Sequence, residues 1–134
     1  MRASLPLLAA AVALGTVACG GDDVDTVIVE DTGVLTALWS IDGSVDPGIC
    51  DVFAVDAFEL VVFDDFGGFV TDAFAPCESF AVSVELFPGF YDATGTLVDV
   101  GNRPVSVTEP IQDVRITSGS ELVVEIDYPA GSIF

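Results

Sequence analysis

Beyond residue 32 the chain alternates apolar and polar positions with a period of two, the signature of half-buried strands. Leu35, Ala37, Trp39 and Ile41 share one face of a first strand, opposite Val34, Thr36, Leu38 and Ser40. Phe58, Leu60 and Val62 alternate with Glu59, Val61 and Phe63 in a second. Asp64-Asp65-Phe66-Gly67-Gly68 is a hairpin turn that leads into an extended run from Phe69 to Ala75. Phe80, Val82, Val84 and Leu86 alternate with Ala81, Ser83 and Glu85, and Pro88-Gly89 then suits a type II turn. Tyr91, Ala93, Gly95 and Leu97 mark the next strand. Val105 and Val107 predict a short one, Val114 and Ile116 another, and Leu122, Val124, Ile126 and Tyr128 the last. Seven or eight short strands with turns between them predict an all-β fold, an antiparallel β-sandwich. One helix interrupts the pattern. Asp46-Pro47 supplies an N-cap and a first helical residue, which predicts a short helix over residues 47–53 carrying Cys50.

The N-terminus follows a different pattern. Arg2 is followed by an almost unbroken apolar run from Leu5 to Val17. At 1.5 Å per residue that run covers roughly 20 Å as a helix, short of a ~30 Å hydrocarbon core, so it is a signal h-region rather than a span. It ends Leu14-Gly15-Thr16-Val17-Ala18-Cys19-Gly20-Gly21, small residues before a cysteine, and resembles the lipobox of bacterial lipoproteins. Thr16 stands where that family most often has leucine. The resemblance implies cleavage after residue 18, lipid on Cys19 and attachment to the membrane of the cell envelope. Gly20, in place of an aspartate after the cysteine, points to the outer membrane in a Gram-negative cell. Three segments result: a lipoprotein signal peptide (1–18), a lipidated acidic tether (19–32) and a β-sandwich domain (33–134). About a dozen flexible tether residues span roughly 20 Å.

Composition narrows the function. All 22 carboxylates follow the signal, against only Arg103 and Arg115, and the formal charge of the whole chain is −19. That excludes electrostatic binding of nucleic acid or anionic lipid, since both need a basic face. The chain has no histidine, so a Ser-His-Asp or Cys-His mechanism is impossible within it. Asp65-Phe66-Gly67 spells a kinase triplet, but no lysine and no Gly-rich loop accompany it, and it reads as a turn. With Cys19 lipidated, Cys50 and Cys77 remain as one pair in an oxidising compartment, where a disulfide between them stabilises by about 3.5 kcal/mol. No cofactor is expected. Calcium is the one ion the acidic loops suit, with hard ligands at Asp22, Asp23 and Asp25 in the tether, Asp42, Asp46 and Asp51 around the helix, and Asp64 and Asp65 at the hairpin. None of these has EF-hand spacing, and each reads first as a solvated loop. Trp39 and Tyr91 read as core residues rather than carbohydrate platforms. Phe63, Phe66, Phe69 and Phe74 crowd one hairpin; burial between the sheets is the first expectation for them, a partner surface the second.

From Phe58 to Asp99 the order strand, hairpin, then Leu86-Phe87-Pro88-Gly89-Phe90-Tyr91 resembles bacterial carboxypeptidase-regulatory-like modules. Those are transthyretin-like β-sandwiches, of immunoglobulin-like architecture, in which a Leu-x-Pro-Gly-x-Tyr segment makes a tight inter-strand turn. The resemblance implies a structural or binding appendage and carries over no catalytic residue. The expectation is therefore a lipid-anchored envelope lipoprotein with a non-catalytic sandwich that binds an envelope protein or glycan and no nucleic acid. The alternatives are a calcium-dependent adhesion or glycan-binding module and, third, a hydrolase using a carboxylate pair.

Overall fold

A computed structural model describes residues 31–134; the signal peptide, Cys19 and the tether aspartates Asp22, Asp23 and Asp25 lie outside the described residues. The elements in chain order are β1 (Gly33–Ile41), α1 (Pro47–Val52), β2 (Ala57–Asp64), β3 (Phe69–Pro76), β4 (Ala81–Leu86), β5 (Gly89–Val98), β6 (Glu109–Ile116) and β7 (Glu121–Tyr128). Short 3-10 turns follow β3 at Cys77–Ser79 and β7 at Ala130–Ser132. Seven strands among the described residues form two sheets, one ordered β4-β1-β7 and the other β3-β2-β5-β6. The fold is the all-β sandwich that the alternation predicts.

Two details depart from expectation. The sandwich is not wholly antiparallel, because β1 and β7 run parallel from Val34↔Glu121 to Ile41↔Tyr128. These are the first and last strands described, joined through all the intervening elements, so no hairpin imposes opposite directions on them. The strand expected at Val105 and Val107 does not form either. Only isolated bridges occur there, Val98↔Pro104 and Ser106↔Ile133. The Val105 amide donates to Leu97 O (2.8 Å) and the Val107 amide to Ser132 O (3.0 Å), so the segment switches partners after one residue. The buried Ser106 hydroxyl accepts from Leu97 N (3.0 Å) and takes the place of a ladder bond.

The core lies where the inward positions of the two sheets meet. Leu35, Ile41, Phe58, Leu60, Val62 and Leu97 are fully buried. Trp39 stacks on Phe58 at 4.2 Å between ring centroids and 6° between planes, and its indole N–H donates to Cys77 O at 3.3 Å. That stack requires a glycine across the sheet. Gly95 pairs with Leu60, and a Cβ there would lie 2.6 Å from Phe58 Cζ. β6 carries a bulge opposite Tyr91 to Ala93, with Asp113 at φ +61°. The extra residue lets Ile111 and Val114, three positions apart, both face inward.

α1 starts as the sequence implies, with Asp46 Oδ1 accepting from Gly48 N at 2.9 Å and Pro47 as its first residue. It ends at Val52, one residue short of the expected span. Cys50 and Cys77, both buried, form a disulfide across a Cα separation of 6.1 Å. The bond ties α1 to the turn after β3.

Candidate binding face

The calcium candidates among the described residues are scattered and mostly serve the backbone. Asp42 sits in the turn after β1 with φ +51°, Asp46 caps α1, and Asp51 is exposed on that helix. Asp64 Oδ1 accepts from Phe66 N (2.9 Å) and Gly68 N (2.8 Å), which shapes the hairpin, while Asp65 points into solvent at its tip. Among the described residues no group of three or more His, Cys, Asp or Glu is placed to hold a metal ion. Trp39 belongs to the core. Tyr91 is half-buried, and its hydroxyl donates to Phe87 O at 2.6 Å, four residues back across Pro88-Gly89. Burial, and then the Asp64 carboxylate, raises the Tyr91 phenol above its ordinary pKa.

The phenylalanine cluster is where the structure overturns an expectation. These rings do not lie between the sheets. Phe66 is 91% exposed, Phe69 64% and Phe74 46%, and Phe63 is half-buried. The register gives the reason. Because Phe58, Leu60 and Val62 of β2 face the core, Glu59, Val61 and Phe63 must face outward. Across the ladder, Glu59 pairs with Phe74, Val61 with Asp72 and Phe63 with Phe69, which puts Phe74 and Phe69 on the same outer face. A shift between Val62 and Phe63 leaves Val70 as the extra residue of β3. Without it, simple alternation would turn Phe69 inward. The sequence signals the crowding of phenylalanines but not the bulge that decides their face.

Carboxylates frame these rings. Glu59 and Asp72 lie among them on β2 and β3, and Asp92 pairs with Phe63 from β5. At the far end of β3 an open groove of about 370 Å³ is lined by Asp56, Ala57, Phe74, Ala75, Pro76 and Glu78. At the other side of the same face the Arg115 guanidinium lies 5.8 Å from the Phe90 ring centroid, a cation held over an aromatic face. The outer face of the other sheet differs. Thr36 Oγ1 donates to Glu121 Oε2 at 2.6 Å and bonds Ser83 Oγ at 2.7 Å, and Glu85, Glu125 and Asp127 share that side.

The one ion pair among the described residues, Arg103 to Asp99 at 3.2 Å, sits in the β5–β6 loop. There the Arg103 amide, with burial opposing and the Gly101 amide assisting, holds the Asp99 carboxyl below its usual range.

No family model matches the chain, and no curated protein matches it. Among solved structures, the Bacillus anthracis TIE protein is similar at 14% identity and a TM-score of 0.43, covering 87% of this chain and 20% of that one. A leucine-rich repeat protein from Bacteroides thetaiotaomicron is similar at 15% identity and a TM-score of 0.34, covering 87% of this chain and 16% of its own. The chain thus spans a fifth or less of either protein.

Proposed function

We propose that this chain is a lipid-anchored envelope lipoprotein whose β-sandwich is a non-catalytic binding module of the carboxypeptidase-regulatory-like, transthyretin-like kind. The observation that carries the binding role is the exposed phenylalanine face. Fully burying a large apolar side chain is worth roughly 1.5–3 kcal/mol, and Phe66 forgoes most of that, Phe69 and Phe74 a part of it, on one hairpin. Exposed aromatic rings grouped on one hairpin, with carboxylates set between them, support a reading of this face as an interaction surface. The closed Phe87-Pro88-Gly89-Phe90-Tyr91 turn supports the family resemblance, because the Tyr91 hydroxyl fastens the connection between sheets.

The lipobox carries the anchor. No helix among the described residues is long and apolar enough to cross a membrane. Each buried CH₂ of an acyl chain contributes ~0.8 kcal/mol, so two or three chains on Cys19 hold a domain stably where one would not. Cys19→Ser in a bacterial host should block lipid incorporation and leave an unprocessed or aberrantly processed precursor. Labelled fatty acid appearing on the Cys19→Ser protein would refute the anchor. For the binding face, a photoreactive phenylalanine analogue replacing Phe66 in the intact lipoprotein should yield a defined cross-linked species in the envelope. The same analogue replacing Val123, on the other sheet, should not. Equal cross-linking from both positions, or none from Phe66, would remove the face from consideration.

A further inference from the structure

We propose that the phenylalanine face receives a cationic, extended polypeptide segment laid along β3, an assignment that rests on the binding role above and names its partner's chemistry. Three features of the face converge on that chemistry. The first is charge without partners. Asp56, Glu59, Asp72, Glu78 and Asp92 stand among or beside the rings, and the one ion pair among the described residues is Arg103 with Asp99, elsewhere in the fold.

The second is the shape of the groove at the end of β3. Phe74, Ala57 and Pro76 supply an apolar floor, and Asp56 and Glu78 supply carboxylates beside it. A lysine or arginine side chain matches both at once, since its aliphatic stem packs on apolar surface while its charged head stays with the carboxylates. Arg115 over Phe90 is the chain's own instance of a cation on an aromatic ring of this face. The third is the edge. β3 is the outermost strand of its sheet, so one side of its backbone is unpaired, and the stretch from Thr71 to Ala75, between the Val70 bulge and Pro76, is regular enough to take an added strand. An extended segment adds there by backbone hydrogen bonds, and its alternate side chains reach Phe69 and Phe74.

The same charges argue against other occupants. A second copy would bring −19 against −19 with no lysine on either side. Phosphate-bearing surfaces meet the same repulsion.

The test uses the intact lipoprotein in neutral detergent and three synthetic peptides of roughly ten residues: alternating Lys and Val, alternating Thr and Val, and alternating Glu and Val. The Lys-Val peptide should bind, and the Glu-Val peptide should not. Phe69→Ser combined with Phe74→Ser should weaken Lys-Val binding by about tenfold or more, as should Asp56→Asn combined with Glu78→Gln. Glu85→Gln with Glu125→Gln, which removes equal charge from the other sheet, should leave it nearly unchanged. All replaced side chains are solvent-exposed, and unchanged thermal midpoints check that each variant folds. If the Glu85/Glu125 variant loses as much affinity as the Asp56/Glu78 variant, attraction is diffuse and the proposal falls. It falls equally if the phenylalanine variant binds like the parent, or if the parent does not bind the Lys-Val peptide. Phenylalanine-dependent binding of the Thr-Val peptide, as tight as that of Lys-Val, would overturn the cationic partner while leaving the face a binding surface.

Discussion

Tyr128 and Tyr91 are the chain's two tyrosines, and their hydroxyls meet opposite fates. The Tyr91 hydroxyl is bonded to Phe87 O, whereas the Tyr128 hydroxyl is buried with no hydrogen-bond partner, on a side chain with no exposed surface. An unpaired buried polar group costs roughly 1–3 kcal/mol, so Tyr128→Phe should stabilise the domain by about 1 kcal/mol. Tyr91→Phe, which removes a made bond from a half-buried site, should destabilise it by about as much. Urea unfolding of both variants checks the pair. A Tyr128→Phe protein less stable than the parent would mean that a buried water serves the hydroxyl. The phenols also set the alkaline limit. Burial, and then the nearby Glu109 carboxylate, pushes the Tyr128 phenol well above its ordinary 10.0. The unfolded chain therefore loses this proton first. The associated stability is fully present below about pH 10 and declines as pH rises from there toward the raised folded value. Tyr128→Phe should flatten most of that decline, leaving the smaller part due to Tyr91.

At the scale of elements, the disulfide is the feature whose removal is simplest to forecast. Replacing Cys50 and Cys77 together by alanine should lower the unfolding free energy by about 3.5 kcal/mol, read from the urea midpoint at constant slope. A loss below about 1 kcal/mol would show that α1 is held by its own packing. The bond was legible on the expectation that Cys19 carries lipid in an oxidising compartment, which leaves Cys50 and Cys77 as a single pair. β1, β2, β4, β5 and β7 were legible for a different reason. Each has one face in the core and one toward solvent, which writes a period of two into the sequence. β3 has almost no buried face, with only Ala75 buried, so it was legible from the hairpin turn that precedes it rather than from alternation. β6 hides its period behind the bulge at Asp113. Alternation also carries no direction, which is why the parallel pairing of β1 with β7 was not in it. The binding face shows the same division. The crowded phenylalanines were visible, and the displaced Val70 that turns Phe69 outward was not.

For the whole molecule, charge decides how conditions act on fold and on binding. With no histidine and no lysine, and with Cys50 and Cys77 in a disulfide, the described residues hold almost nothing that titrates near neutrality. Stability should therefore be nearly flat from about pH 6 to pH 9. Below that range two effects oppose each other. Protonating carboxylates relieves repulsion, whereas Asp99, whose carboxyl is held low, contributes stability that exists above its unfolded value of 3.8 and is lost as pH falls through its lower folded one. Salt separates repulsion from specific pairing more directly. A net −19 offset by a single ion pair among the described residues leaves repulsion dominant, so screening should strengthen the fold. Going from about 0.01 M to about 0.15 M salt shortens the Debye length from ~30 Å to ~8 Å, and the thermal midpoint should rise by several degrees. A falling midpoint would mean that paired charges, not repulsion, govern the domain. The same screening acts with the opposite sign on a cationic partner. Over the interval in which the fold gains stability, affinity for the Lys-Val peptide should fall, while the contribution of Phe69 and Phe74, being apolar, should persist at the higher salt. Fold and binding then move apart in one titration, which a salt-labile fold would not produce, and the phenylalanine-dependent affinity left at the higher salt is what a purely electrostatic interface would lack.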